Sequence, residues 1–194
     1  MSAHKIVVQK YQKLLQDINQ QKFDGLDELH HFTSGMKSVY TQSCMDGLMQ
    51  VRQSVGGAGY SAWSSLPYLI DDFSPCVTYE GDNTVMAQQC SKYLLKLYKR
   101  AKRGEVLGGL FSYINEIDFT LSKTCQASTP EAFLNINQVD EAMKLCSSYL
   151  IETTFNKLKE SKASKLDQTN QIYALDIVTM AQLHIKYITF LIFK

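Results

Sequence analysis

Between Leu26 and Val55 the residues Leu26, Leu29, Phe32, Met36, Tyr40, Cys44, Leu48, Val51 and Val55 recur at steps of three or four without a break. Such spacing puts all nine side chains on one face only if the segment is a single long helix. Gly56 and Gly57 follow at once, as glycines do at helix ends. A helix with so long an apolar face must bury it against others, and the rest of the chain supplies them. Val7, Tyr11, Leu14, Leu15 and Ile18 share one face of an N-terminal helix that breaks over residues 22–25. With Asn83 as its N-cap, a helix over residues 83–102 carries Met86, Cys90, Tyr93, Leu94 and Leu97. Another starts near Asn137. A last one starts near Gln168, apolar nearly all round except at Asp176, Gln182, His184 and Lys186, which suits a central, doubly covered helix. Residues 104–135 read as irregular and 161–167 as a solvated turn. Strand signals are weak throughout, so the expected class is all-α, a helix bundle.

Composition limits what such a bundle can do. The 194 residues include 20 Lys and Arg against 19 Asp and Glu, a net charge of +1, which leaves no broad basic footprint for nucleic acid. The basic residues Lys92, Lys96, Lys99, Arg100, Lys102 and Arg103 read as a solvated face that complements a helix C-terminus. No uninterrupted apolar run reaches about 18 residues, which disfavours a membrane span. Cys44, Cys76, Cys90, Cys125 and Cys146 are odd in number and form no C-x-x-C pair, so all five are expected reduced and packed in the interior. His30 and His31 diverge on a helix and neither has a metal-binding residue at i+4, so no metal site is expected. Residues 57–62 match G-x-G-x-x-A, but a helix rather than a strand precedes them, which excludes a dinucleotide-binding βαβ turn. Asp71 and Asp72 read as a solvated turn.

Residues 56–83 differ from the rest. Four glycines and two prolines accompany Tyr60, Trp63, Leu66, Tyr68, Phe73 and Tyr79. A long connection with that much aromatic mass is an ordered loop or a series of short helical turns, and is usually functional. Its first part closes a helix in a glycine turn that lets backbone approach a ligand. Its last part sets Glu80, followed by Gly81, at the entry of the next helix.

Gly56-Gly57-x-Gly59-Tyr60, Leu66-Pro67, Phe73-x-Pro75 and the run from Thr78 through Tyr79-Glu80-Gly81-Asp82-Asn83-Thr84-Val85 to Met86 resemble the acyl-CoA oxidase family, relatives of the acyl-CoA dehydrogenases. Tyr93-Leu94-Leu95-Lys96 and Ser112-Tyr113-Ile114-Asn115 add to the likeness, which extends over nearly the whole chain. The resemblance implies the family's C-terminal helical region only: residues 1–135 as most of the first C-terminal helical domain, with the glycine turn and glutamate loop at 56–83, and residues 136–194 as the start of the second.

The resemblance further implies FAD-dependent oxidation of a fatty acyl-CoA to the trans-2-enoyl-CoA, with molecular oxygen giving hydrogen peroxide, in the peroxisome. Glu80 takes the place of the catalytic base. Tyr79 and Gly81 fall at substrate-binding positions, and Gln53, Gly56, Gly57, Asp82, Asn83 and Thr84 at positions expected to meet FAD, the glycine turn reaching that of a neighbouring subunit. A homodimer, or pairing with further domains, is implied. The family's middle β domain holds much of the flavin site and has no counterpart in these residues. The isolated chain is therefore expected to bind FAD weakly and to lack oxidase activity. The C-terminal Leu191-Ile192-Phe193-Lys194 stops within an apolar run, so more chain or another subunit is expected to cover it. It is not a peroxisomal tripeptide; Ser164-Lys165-Leu166 spells one internally. The alternative is a non-catalytic interaction subunit built on the same helices.

Overall fold

The structure is a computed structural model that describes residues 3–23, 25–124 and 129–194. Eight α-helical segments run in the order α1 (Ala3–Asn19), α2 (Leu26–Ser54), α3 (Leu66–Phe73), α4 (Asn83–Ala101), α5 (Ile117–Leu121), α6 (Ile136–Glu160), α7 (Lys165–Asp167) and α8 (Ala174–Phe193). Among the described residues there is no strand, and the all-α bundle expected from the helical periodicity is the fold.

Helix α8 packs against α2, α4 and α6. Phe32 and Met36 of α2, Leu94 of α4, Ile151 of α6 and Met180, Ile185 and Ile188 of α8 form one continuous core. Residues on both sides of the expected division at 135/136 thus share it. Helices α2 and α8 approach closely at Gly35, where an added Cβ would lie 2.6 Å from Ile185 Cδ1. By length and composition Ala174–Phe193 is apolar enough to cross a membrane. Seven of its residues are buried where it packs on α2, α4 and α6, which accounts for part of that composition.

The long stripe of α2 is buried only over its first half. Leu29, Phe32 and Met36 are in the core, whereas Tyr40, Cys44, Val51 and Val55 are exposed, and the buried residues of α2 all fall between Leu29 and Val39. Residues 104–135 are less irregular than expected. A 3-10 helix, Gly109–Glu116, leads into α5 and buries Phe111, Ile114 and Ile117. Their spacing of three matches the 3-10 period, in which i and i+3 eclipse. The N-cap of α4 is Asp82 rather than Asn83, for Asp82 Oδ1 accepts from the Thr84 N–H at 2.8 Å. Of the four described cysteines, all expected inside, only Cys90 is buried; Cys44 and Cys146 are exposed and Cys76 is half-buried, all four as free thiols. Cys125 lies outside the described residues.

A polar chain threads the core. His31 Nδ1 donates to the Cys90 carbonyl at 2.8 Å, which leaves His31 Nε2 as an acceptor for His184 Nε2–H at 3.1 Å. His184 Nδ1 then accepts from the Tyr113 hydroxyl at 2.5 Å, and Tyr113 Oη lies 3.1 Å from Ser147 Oγ. The ring of Phe111 stacks on His184. With the protons so placed, both imidazoles are neutral. Burial pulls His31 down to about 4, and pulls His184 well below the usual histidine range, with His31 adding to the effect.

Candidate functional site

The segment between α2 and α4 is built from short turns. Residues Gly56–Gly59 and Ala62–Ser64 are 3-10 turns, α3 follows with Pro67 in its first turn, and Ser74–Val77 is another 3-10 turn. A helix precedes the glycine turn, so the G-x-G-x-x-A match has no nucleotide-binding context. Gly59 is buried where an added Cβ would fall 2.3 Å from the Arg52 carbonyl oxygen, so the turn folds tightly back on α2. Gly56, at φ +59°, and Gly57 face open space. Within the same segment Trp63 is 98% exposed and Tyr60 80%, with Tyr68, Leu69 and Tyr79 also exposed.

Glu80 adopts a left-handed backbone at φ +56°, and Gly81 follows at φ +107°. A φ of +107° strains any residue but glycine at 81, and an added Cβ would also press on the movable end of Met86. The side chain of Glu80 is exposed, so among the described residues none supplies the buried setting that a carboxylate base needs. Tyr79, beside it, has its hydroxyl 2.9 Å from Cys76 Sγ. That hydrogen bond raises the Tyr79 phenol above its ordinary range, with the Cys76, Glu80 and Asp72 charges acting in the same direction.

Four polar residues within two turns of α2 hold the next part of the loop. Lys37 Nζ donates to Gly81 O at 2.5 Å and to Asn83 Oδ1 at 2.9 Å. Thr41 Oγ1 donates to the same Oδ1 at 3.0 Å, Ser38 Oγ to the Asn83 carbonyl at 2.7 Å, and Asn83 Nδ2 to Gln42 Oε1 at 3.4 Å. Asn83 is buried by these contacts.

The residues expected at the site therefore fall into two groups. Glu80, Gly81, Asp82, Asn83 and Thr84 lie together against residues 37–42 of α2. Gln53, Gly56 and Gly57 lie at and just past the far end of that helix, roughly 20 Å along its axis at about 1.5 Å per residue. The expected flavin contacts differ in how free they are. Gln53, Gly56 and Gly57 are exposed, and their open backbone fits close approach of a ligand. The Asn83 side chain is committed to α2, and the Thr84 N–H to Asp82, so neither group is free to meet a phosphate. The basic second half of α4 is solvated, and Lys96 pairs with Asp27 at 2.7 Å, Arg100 with Glu105 and Lys102 with Asp118 at 2.5 Å. Periodicity alone did not point to Lys37 or to the polar chain through His31 and His184. A lysine within the buried half of an amphipathic helix, and a histidine in a nearly all-apolar one, were the available signals.

Residues 1–95 match the family model described as acyl-CoA oxidase, C-alpha1 domain. Peroxisomal acyl-coenzyme A oxidase 1 of Mus musculus is 30% identical over 192 residues, covering 96% of this chain and 29% of that protein. The structure of Arabidopsis thaliana acyl-CoA oxidase 1 superposes with a TM-score of 0.82 at 28% identity, over 92% of this chain and 27% of that one. That of Caenorhabditis elegans acyl-CoA oxidase-2, bound with FAD, ascaroside-CoA and ATP, has a TM-score of 0.76 at 26% identity, over 94% and 27%. The chain thus spans less than a third of the length of these relatives. By sequence and by fold, the chain belongs to the acyl-CoA oxidase family, as a stretch of its C-terminal helical region.

Proposed function

We propose that these residues provide the base-bearing loop of an FAD-dependent oxidase that converts fatty acyl-CoA to trans-2-enoyl-CoA. The observation that carries this reading is the Tyr79-Glu80-Gly81 turn, set in a left-handed conformation and fastened to α2. The Glu80 carboxylate takes the proton from C2 of the thioester. The backbone N–H of Glu80 donates to the thioester carbonyl oxygen, where negative charge grows as that proton leaves. FAD, when bound, would supply the acceptor for the C3 hydride and the route by which oxygen is reduced to hydrogen peroxide. Tyr79 and Gly81 flank the substrate. Gln53, Gly56 and Gly57 offer exposed backbone and amide groups to the flavin nucleotide of a second subunit, in keeping with their distance from Glu80. Residues 1–135 and 136–194 are assigned to the first and second C-terminal helical domains, and the peroxisome is the compartment, as the relatives' names suggest.

The exposure of Glu80 within this chain favours a second reading, in which the helices serve as a structural or interaction subunit and Glu80 is incidental. A graft distinguishes the two. The chain replaces the matching stretch of the mouse oxidase, and Glu80→Gln is compared with the parent graft. Under the catalytic reading, peroxide release and loss of C2 deuterium from labelled acyl-CoA both fall by about 10²–10⁴-fold while bound flavin is retained. Unchanged rates in the variant establish the structural reading instead. The isolated chain should retain little FAD and release no peroxide.

A further inference from the structure

The Glu80 turn combines a non-glycine residue at positive φ with a flexible glycine, and such backbone persists only where its surroundings over-determine it. Among the described residues, one side chain bonds to the backbone of Gly81. The half-buried Lys37 ammonium bonds Gly81 O and Asn83 Oδ1, the residues on either side of Asp82, and so closes the turn from across the α2–α4 interface. Ser38 and Thr41 fix Asn83 from the same helix but do not reach Gly81. Lys37 is electrostatically misplaced for a purely structural role. It stands at the N-terminus of α4, where the helix dipole disfavours a cation, and among the described residues it forms no ion pair. A neutral donor would satisfy Asn83 equally well. What the ammonium adds is a second, charge-assisted bond to the carbonyl that immediately follows Glu80.

We infer that Lys37 is the positioning residue of the Glu80 base: by holding the Gly81 carbonyl it keeps Glu80 in its left-handed conformation and so fixes the direction in which its side chain leaves the backbone. The inference rests on the catalytic reading of Glu80 only for its consequence in turnover; the latch itself is testable without it. Once Lys37 is removed, Gly81 is free to rotate, Glu80 relaxes to ordinary backbone angles, and the carboxylate swings away.

Two variants of the 194-residue chain test this, Lys37→Met, which keeps length and helix propensity, and Lys37→Arg, which keeps charge and donors. Amide hydrogen exchange followed by mass spectrometry should rise about tenfold in peptides spanning residues 79–84 of Lys37→Met, stay unchanged in the α8 core, and return most of the way to the parent value in Lys37→Arg. In the mouse-oxidase graft, Lys37→Met should lower kcat about 10–100-fold with KM for acyl-CoA and flavin content unaltered. Equal exchange at 79–84 in parent and Lys37→Met, or a rise spread uniformly through α2, α4 and α8, overturns the latch. A loosened turn with unchanged kcat overturns the positioning role. Failure of the catalytic reading itself is read separately, from Glu80→Gln.

Discussion

Acidification from about pH 7 to about pH 5 should destabilise the chain through its two buried imidazoles. His31 stands at about 4 in the folded state, and an unfolded histidine at about 6.5. In this interval the unfolded chain binds a proton at His31 that the folded chain does not, so stability falls as pH falls. Integration over these two pH units gives a loss of about 2 kcal/mol from His31. His184, lowered further by the same burial, acts in the same direction. The groups facing the pair cannot compensate. Glu28 favours the charged form of His31 only weakly and His30 opposes it, while Cys90 and Tyr113 are held neutral by burial. Unfolded carboxylates remain mostly ionised down to about pH 5, which keeps their contribution small in this window. Urea denaturation followed by far-ultraviolet circular dichroism at the two pH values measures the difference. A His31→Gln variant, which cannot ionise there, should lose only about half as much between the same pH values, whatever its own stability. Equal urea midpoints for the parent chain at both pH values would refute the assignment of two neutral, hydrogen-bonded histidines.

Two substitutions test the packing around the same centre. Gly35→Ala should cost about 1–3 kcal/mol in urea unfolding, because its Cβ would meet Ile185 at 2.6 Å and Cys90 Sγ at 2.8 Å. An alanine variant as stable as the parent would show that α2 and α8 do not approach as described. Tyr113→Phe removes the donor to His184 Nδ1 and should cost about 1–3 kcal/mol, while shifting the His184 ring resonances in the NMR spectrum; a neutral effect on both would dissolve the polar chain.

The parts of the fold that periodicity revealed are those in which an apolar stripe meets other helices of the same chain. α2, α4, α6 and α8 were all legible, and so was the central place of α8. The stripe from Tyr40 to Val55 shows what such patterning lacks: it marks a face as apolar without saying what covers it. Phe111, Ile114 and Ile117 escaped a search at 3.6 residues because they follow a period of three. Asp82 rather than Asn83 caps α4 because Asn83 is drawn inward by Lys37 and Thr41, a tertiary competition invisible in a local motif. Glu80 was singled out by resemblance and not by its own chemistry. The polar chain joining His31 to His184 required knowing that residues 153 positions apart meet.

The sole indole of the chain sits almost wholly in solvent at position 63. Its emission should therefore be red-shifted already in the native state and change little on denaturation, which makes it a poor gauge of folding. The same placement makes it a sensitive gauge of association. Any polypeptide that settles on the aromatic side of the loop must dry the indole and move its emission to the blue, so a single spectrum would reveal when this surface has been capped.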